Sequence, residues 1–546
     1  MAEDNSVYNP SVIEINPLTR PSTVSTTATR VVEPGRDDYV PPVPPIPRDF
    51  STIALEKPQY SPHEGEGAIP DDAQEEEIEN REEDWVHDPR NARNWPVGKK
   101  WTMVLIVSFY TLVPPLASSM MAPALPDIAE HLNITNPTLV SLTLSIFLVT
   151  FAIGPLILAP LSEIYGRTWV LHIANICSLG FNIGCGFVST TGSLIGLRIL
   201  AGFAGSAPIA IGGGTISDLF SERDRSSAMA IYSLGPLLGP AVGPIAGGYI
   251  AQSIGYKYIF VVIGGLSALS GALGIPLLRE TYGPVIRLRI AKKSAGDPEK
   301  IAQKHPQLQA AHGPGTQMHL IWISVARPFV LLTRSMTCFL LSLYMALQYG
   351  FYYLMFATFP ALFSDVYHFN TGAVGLAYIG LGVGFLLSTI FGGWFGDKVY
   401  QTLTLRNGGQ GKPEYRLPAL VVGSIFPPVG LFWYGWSAQA QLFWIMPIIG
   451  TSFFGFGMMA TFLPIQLYLV DTFQFAASSL AAASVFRSMF GFAFPLFGEQ
   501  MFAALGYGGG NSLLAGLAIV IGIPFPIWLY FKGEEMRMNS KYARHD

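Results

Sequence analysis

From Trp101 to Phe531 the chain alternates long apolar runs with short polar breaks. Each run has about 20 residues or more, enough to cross roughly 30 Å of hydrocarbon as a helix. In lipid only a helix or a closed barrel satisfies every backbone group, and the length of the runs selects helices. Twelve segments are predicted, here spans 1 to 12: 101–123, 138–161, 168–189, 193–217, 227–250, 258–279, 335–363, 372–396, 417–436, 441–470, 475–498 and 511–531. Span 10 is long enough to be tilted or broken near its glycines. The fold class read from this pattern is an all-α integral membrane protein.

The breaks carry charge unevenly. Counting the first tail as one side, the loops on that side hold Arg167, Arg223, Arg225, a basic cluster from Arg287 to Lys304, Arg327, Arg334, Lys398, Arg406, Lys412 and Arg416, whereas the other side holds only Lys257. Short loops rich in Lys and Arg stay cytoplasmic, so both termini are expected there. The polar stretch 283–334 divides the spans into two sets of six. The domains that follow are a tail at 1–98, a first six-helix bundle at 99–282, a central cytoplasmic loop at 283–334, a second bundle at 335–532 and a cytoplasmic tail at 533–546. A faint repeat supports two halves: Leu161-Ser162-Glu163-Ile164-Tyr165-Gly166-Arg167 follows span 2, and Phe395-Gly396-Asp397-Lys398-Val399-Tyr400 follows span 8. Parallel repeats about an axis along the membrane normal place such segments at matching positions.

Composition sharpens this picture. Of 546 residues, 50% are hydrophobic and 13% charged, against about 25% charged in a soluble domain; the mean hydropathy is +0.38. Residues 1–100 hold 20 acids against 10 bases, and the remainder 17 against 23. An acidic, proline-rich tail precedes a mildly basic membrane body, which argues against nucleic acid as a partner. The tail buries too little apolar surface to fold and is expected to be disordered, as a solvated spacer or an interaction tail. Its first residues, MAEDNSVYNP, show neither basic n-region nor apolar h-region, so insertion is expected to start at span 1. Cys177, Cys185 and Cys338 lie in apolar runs without metal-ligand spacing and read as small core hydrophobes, with no disulfide framework or metal site. Neither a P-loop nor HExxH nor GxSxG is present, so catalysis is not expected, no cofactor is implied, and the energy source is expected to be a gradient.

Four local patterns carry candidate chemistry. Around Ala159–Arg167, Gly166 permits a tight turn while Glu163 and Arg167 can pair with neighbouring helix ends and part again; this segment resembles the major facilitator signature between spans 2 and 3, with Ile164 where that family often has a base. Asp397 is its counterpart in the second half. The other reading is a structural turn clamp without gating. In span 5, Gly235, Pro236, Gly239, Pro240, Gly243, Pro244, Gly247 and Gly248 place a small residue at every fourth position with prolines beside them, so that helices approach closely.

In span 4, Arg198 sits about 8 Å inside the end nearer Asp127, which leaves two readings: a protonation-sensitive pair with Asp127, or an arginine tied to backbone carbonyls. Arg487 is the other Lys or Arg within a span, with His172 as the remaining potentially cationic side chain. No carboxylate lies within a span as drawn; Asp127, Asp218, Glu222, Asp471 and Glu499 sit at span ends. In span 7, Tyr344, Gln348, Tyr349 and Tyr352 form an aromatic patch with one hydrogen-bonding amide, suited to flat amphipathic ligands or to plain packing. Asn133-Ile134-Thr135 is a glycosylation sequon.

Beyond these motifs, Asp88–Trp95, Arg279–Pro284, Pro413–Leu417 and Phe494–Phe497 resemble segments of the fungal twelve-span drug:proton antiporter family of the major facilitator superfamily, and the span 5 pattern resembles the antiporter motif of that branch. The resemblance covers nearly all of the membrane body. It implies a major facilitator fold that exports drugs, fungicides, toxins, secondary metabolites or polyamines in exchange for protons, with spans 1, 4, 7 and 10 lining the cavity. It implies the plasma membrane, with the vacuolar membrane as the alternative. The expected partners are a small-molecule substrate, protons and the lipid bilayer. Oligomeric state is left open, with a monomer expected. Uptake of a nutrient, and a receptor or scaffold that has lost transport, are the competing functions.

Overall fold

The computed structural model describes residues 85–221, 224–295, 314–473, 475–540 and 542–543. Among these residues the elements are helices, and the only β-type pairing is an isolated bridge between Phe473 and Ala543. The apolar runs set this outcome, because a helix satisfies its own backbone in lipid.

Among the described residues, eleven helices are long and apolar enough to cross a membrane: Val97–His131, Pro137–Tyr165, Arg167–Gly186, Thr191–Leu219, Ser227–Ile254, Lys257–Leu277, Met336–Val366, Thr371–Arg406, Pro413–Gln439, Ile445–Thr472 and Pro495–Met538. The first ten are spans 1 to 10. The last is 44 residues long and contains a break at Gly506, whose φ of 71° and ψ of 169° are not helical. There the chain folds back: a side chain at Gly510 would strike Phe502, and the rings of Phe502 and Tyr507 are 5.4 Å apart. Helix Ala476–Ala493 therefore continues through 495–505 as span 11, and 507–538 forms span 12. The expected twelve spans in two six-helix halves are recovered, with the last boundary at Gly506 in place of a loop at 499–510.

Two further turns are as tight. One residue, Gly166 at φ 103°, separates the helix ends Tyr165 and Arg167. Gly255 at φ 99° begins the two-residue link, Gly255-Tyr256, between spans 5 and 6. Both lie in the region of backbone space that side chains with a Cβ rarely enter.

Span 5 shows what its glycine stripe is for. Gly235, Gly239, Gly243 and Gly247 each lie against span 1, at Leu112, Pro115, Ser119 and Met120 in turn. A quarter turn away, Gly248 meets Thr371 and Gly375, and Ala241 meets Gly382, all in span 8 of the other half. Pro236, Pro240 and Pro244 are accommodated within the continuous helix Arg225–Ile254. Span 10 is unbroken over Ile445–Thr472, so of the two alternatives, tilted or broken near its glycines, the break does not occur; Gly450 and Gly457 receive span 9 and Gly455 receives Leu381 of span 8.

The polar parts also fold in places. The expectation of an unstructured tail does not hold for residues 85–98: Ala92 is buried beside Met103, Val104, Leu219 and Leu278, Asn91 Nδ2 donates to the Trp85 carbonyl at 3.1 Å, and Arg287 lies 4.8 Å over the Trp85 ring. Residues 1–84 lie outside the described residues. The central segment is helical on both flanks, at Gly283–Ala295 and Pro314–Arg334.

Candidate functional site

Two groups of polar side chains stand out, one at a helix end and one at the centre. At the end of the bundle that carries Arg167, four stretches of chain converge. The Arg167 backbone N–H donates to Glu280 Oε1 at 2.9 Å, its Nε to Asp218 Oδ2 at 3.4 Å and its Nη1 to Ser162 Oγ at 2.7 Å, while Glu163 lies 3.7 Å from Nη2. Glu280 also accepts from the N–H groups of Thr281 and Tyr282, and Arg289 is 3.6 Å from its other oxygen. The Arg167 guanidinium sits 4.9 Å over the Tyr282 ring, whose hydroxyl is pushed up to about 12 by burial and stays neutral. Gly166 lets this happen, since a Cβ there would run into the Glu280 carboxylate. Glu163, Gly166 and Arg167 are thus brought together as expected. Asp218 and Glu280 complete the group.

The second half has its own clamp, but not around Asp397, which is exposed and makes no ion pair among the described residues. Arg416 donates to Asp471 at 2.6 Å and covers the Tyr400 ring at 4.5 Å. Beside it Arg537 and Glu414, both buried, meet at 3.1 Å. An acid closes span 4 as Asp218 and span 10 as Asp471, and that matched pair was the available signal. These helices run past the apolar stretches that suggested them, which corrects the expectation of spans free of carboxylates: Asp127, Asp218, Asp471 and Glu499 all lie within spanning helices.

Toward the centre, the structure decides between the two readings of Arg198. The side chain is fully buried, its Nη1 donates to the Ala117 carbonyl at 3.0 Å, and Nε and Nη2 reach the Thr143 and Leu144 carbonyls at 3.4 Å. Its guanidinium also lies 4.7 Å from the Phe147 ring centre. Asp127, half-buried in Leu125–His131, is not among its partners.

The span 7 patch divides. Tyr344, Gln348 and Tyr352 recur every fourth residue and are buried against the second half: Tyr344 at Gly522, Gln348 donating to Thr461 Oγ1 at 3.0 Å, and Tyr352 edge-on to Phe356 and close to Phe385. Tyr349 points elsewhere. It lies 4.7 Å from the Arg487 guanidinium and 5.0 Å from the Tyr353 ring, and Tyr353 OH reaches Ser118 Oγ of span 1 at 3.0 Å. Tyr344 and Gln348 therefore face away from Tyr349, because a helix turns about 100° per residue, while the Tyr349 and Tyr352 rings remain 5.9 Å apart.

Hydrogen bonds between the halves are made away from the Arg167 end. Gly372 N–H donates to Gln252 Oε1 at 2.9 Å, and Gln500 Nε2 to Thr138 Oγ1 at 2.8 Å. Asn133 lies exposed in the loop on that side, at φ 51°.

Two helical halves that meet over a centre lined with rings and cations define a multi-pass membrane transporter. Residues 107–495 match the family model of the Major Facilitator Superfamily. The chain is 42% identical to the MFS transporter cpaT of Aspergillus oryzae, over 83% of this chain and 91% of the relative. It is 43% identical to the MFS-type transporter penM of Penicillium rubens (84% and 90%) and 41% identical to the efflux pump vrtL of Penicillium aethiopicum (84% and 90%). Among solved structures it is similar to the xylose transporter XylE from E. coli in a partially occluded inward-open conformation, with a TM-score of 0.57 at 14% identity over 80% of this chain and 98% of that one. A D-xylose-proton symporter gives 0.59 at 14%, over 79% and 97%. The chain belongs to the Major Facilitator Superfamily.

Proposed function

We propose that this protein is a secondary active exporter of small organic molecules such as drugs, toxins or secondary metabolites, driven by proton antiport and working by alternating access. The observation that carries this reading is the similarity, at about 40% identity across most of both chains, to fungal proteins named efflux pumps and MFS transporters. The two clamps support the mechanism. Each joins helix ends within its own half, Arg167 with Asp218 and Arg416 with Asp471, so each half is braced as a unit that can rock against the other. The bonds from Gln252 to Gly372 and from Gln500 to Thr138 close the opposite end.

In this reading residues 99–282 and 335–532 are the rocking halves, joined through 283–334, with both termini in the cytoplasm and the protein in the plasma membrane. Glu163, Gly166 and Arg167 belong to the cytoplasmic gate, with the Arg416–Asp471 pair as their counterpart in place of Asp397, and Asn133 is glycosylated on the outer side. The span 5 glycines and prolines form the sliding surface between halves. Arg198 and Arg487 are the charges available for coupling, Asp127 standing apart from Arg198 and taking no part in it, and Tyr349 lines the substrate path with Tyr344, Gln348 and Tyr352 supporting it. The molecule acts as a monomer. The test is growth of null and overexpressing cells on a panel of toxic compounds, with and without a protonophore. Protection that rises with expression and vanishes with the protonophore is expected; sensitivity that rises with expression would mean uptake instead.

A further inference from the structure

Arg198, fully buried in span 4, and Arg487, half-buried in span 11, are treated differently by their surroundings. Arg198 has its donors taken up by three carbonyls from spans 1 and 2. Arg487 has almost nothing polar: Nη2 reaches Ser484 Oγ at 3.4 Å, Nε is buried without a partner, and no carboxylate pairs with it among the described residues. It lies about 17 Å along span 11 from Ala476, near mid-depth. A cation there costs several kcal/mol unless something compensates it.

What surrounds Arg487 is aromatic and held in place. Its guanidinium is 4.7 Å from the Tyr349 ring and 5.0 Å from the Phe462 ring. The bond from Gln348 to Thr461 ties the residues next to those two rings, fixing span 7 against span 10. Tyr353 extends the ring surface toward Ser118 of span 1, and Gly491, one turn along span 11, approaches Tyr349 and Leu148 of span 2. The guanidinium thus stands where the halves meet. Two ring faces supply part of the compensation, and the planar set of donors, of which Nε has no protein acceptor, suits a bidentate acceptor.

We propose that Arg487 is a specificity-determining binding residue that takes the anionic group of a flat organic acid, a carboxylate or an ionised enol or phenol, while the ring system of that acid lies on Tyr349 and Phe462. The ligand supplies the counter-charge that the protein leaves out. This rests on the transporter reading above and narrows its substrate class from small organic molecules to organic anions.

The experiment uses the full chain in nanodiscs of uncharged lipid, with tritiated 2-naphthoate and 2-naphthamide as probes that share a ring system and differ in charge. In the wild type, 2-naphthoate is expected to bind roughly tenfold or more tighter than the amide. Arg487→Gln removes that preference while amide affinity stays within about twofold, which shows that the site is still folded. Equal affinities in the wild type, binding of neither probe to it, or a preference unchanged in Arg487→Gln overturns the proposal. Should Arg487→Gln bind neither probe, Arg487→Lys decides: a reduced but remaining preference supports it, and an unchanged or abolished one overturns it. Protection of cells by the wild-type chain against uncharged toxicants, abolished by a protonophore, would leave the exporter reading standing after this inference has failed.

Discussion

Arg416 donates to Asp471 at 2.6 Å, joining the start of span 9 to the last turn of span 10. Arg167 joins the start of span 3 to Asp218 in the last turn of span 4 in the same way. Arg167 is largely buried, so its removal strands Asp218 and leaves the guanidinium site empty. Arg167→Ala is expected to destabilise the protein by about 3 kcal/mol, read as a fall in melting temperature in detergent. Arg416→Ala, at a more exposed pair, is expected to cost less. An equal or larger loss at Arg416 would contradict the burial argument.

The span 5 stripe gives a graded series. A side chain at Gly247 would strike the Met120 carbonyl, whereas Gly265 of span 6 faces open space. Gly247→Ala is expected to cost about 1–3 kcal/mol, since backbone must move, and Gly265→Ala to be neutral or slightly stabilising. Melting curves of the two purified variants, compared with wild type, check this.

Arg198 and Asp127 separate cleanly. Lysine cannot hold three carbonyls in different directions as the guanidinium does, so Arg198→Lys is expected to lose most transport. Asp127→Asn is expected to keep it within about twofold, because a pair worth a measurable coupling would need contact. Toxicant efflux rates from cells expressing equal amounts of each variant measure both.

The folded segment before span 1 should respond to acid. Hydrogen bonds from Arg90 hold the Asp88 carboxyl below its ordinary value. With the folded value below the unfolded one, the stabilisation is present above the unfolded value and is lost as pH falls through the folded one. The effect is small at so exposed a site. Limited proteolysis around Trp85–Trp95 is expected to quicken below about pH 4, and Asp88→Asn to remove that pH dependence.

The spans were legible because their signal is long and one-dimensional, and Gly166 was legible because a one-residue turn demands it. The second clamp was not. Its base, Arg416, lies beyond the loop after span 8, so aligning Asp397 with Glu163 by local sequence drew attention to the wrong end of that loop. Gly506 was missed because Tyr507-Gly508-Gly509-Gly510 is apolar enough to read as either span or loop. Span 7 was legible in part: the rings of Tyr349, Tyr352 and Tyr353 do gather, but Gln348 and Tyr349, neighbours in sequence, face different helices, an angular relation that a list of residue types does not show.

The turn at Gly166 has a mechanical corollary. With a single residue between Tyr165 and Arg167, and Arg167 fastened on both sides, spans 2 and 3 have no slack to slide past one another. The two helices therefore travel as one piece, and a swing of the halves has to be absorbed where they touch, as at Gly248 against Gly375.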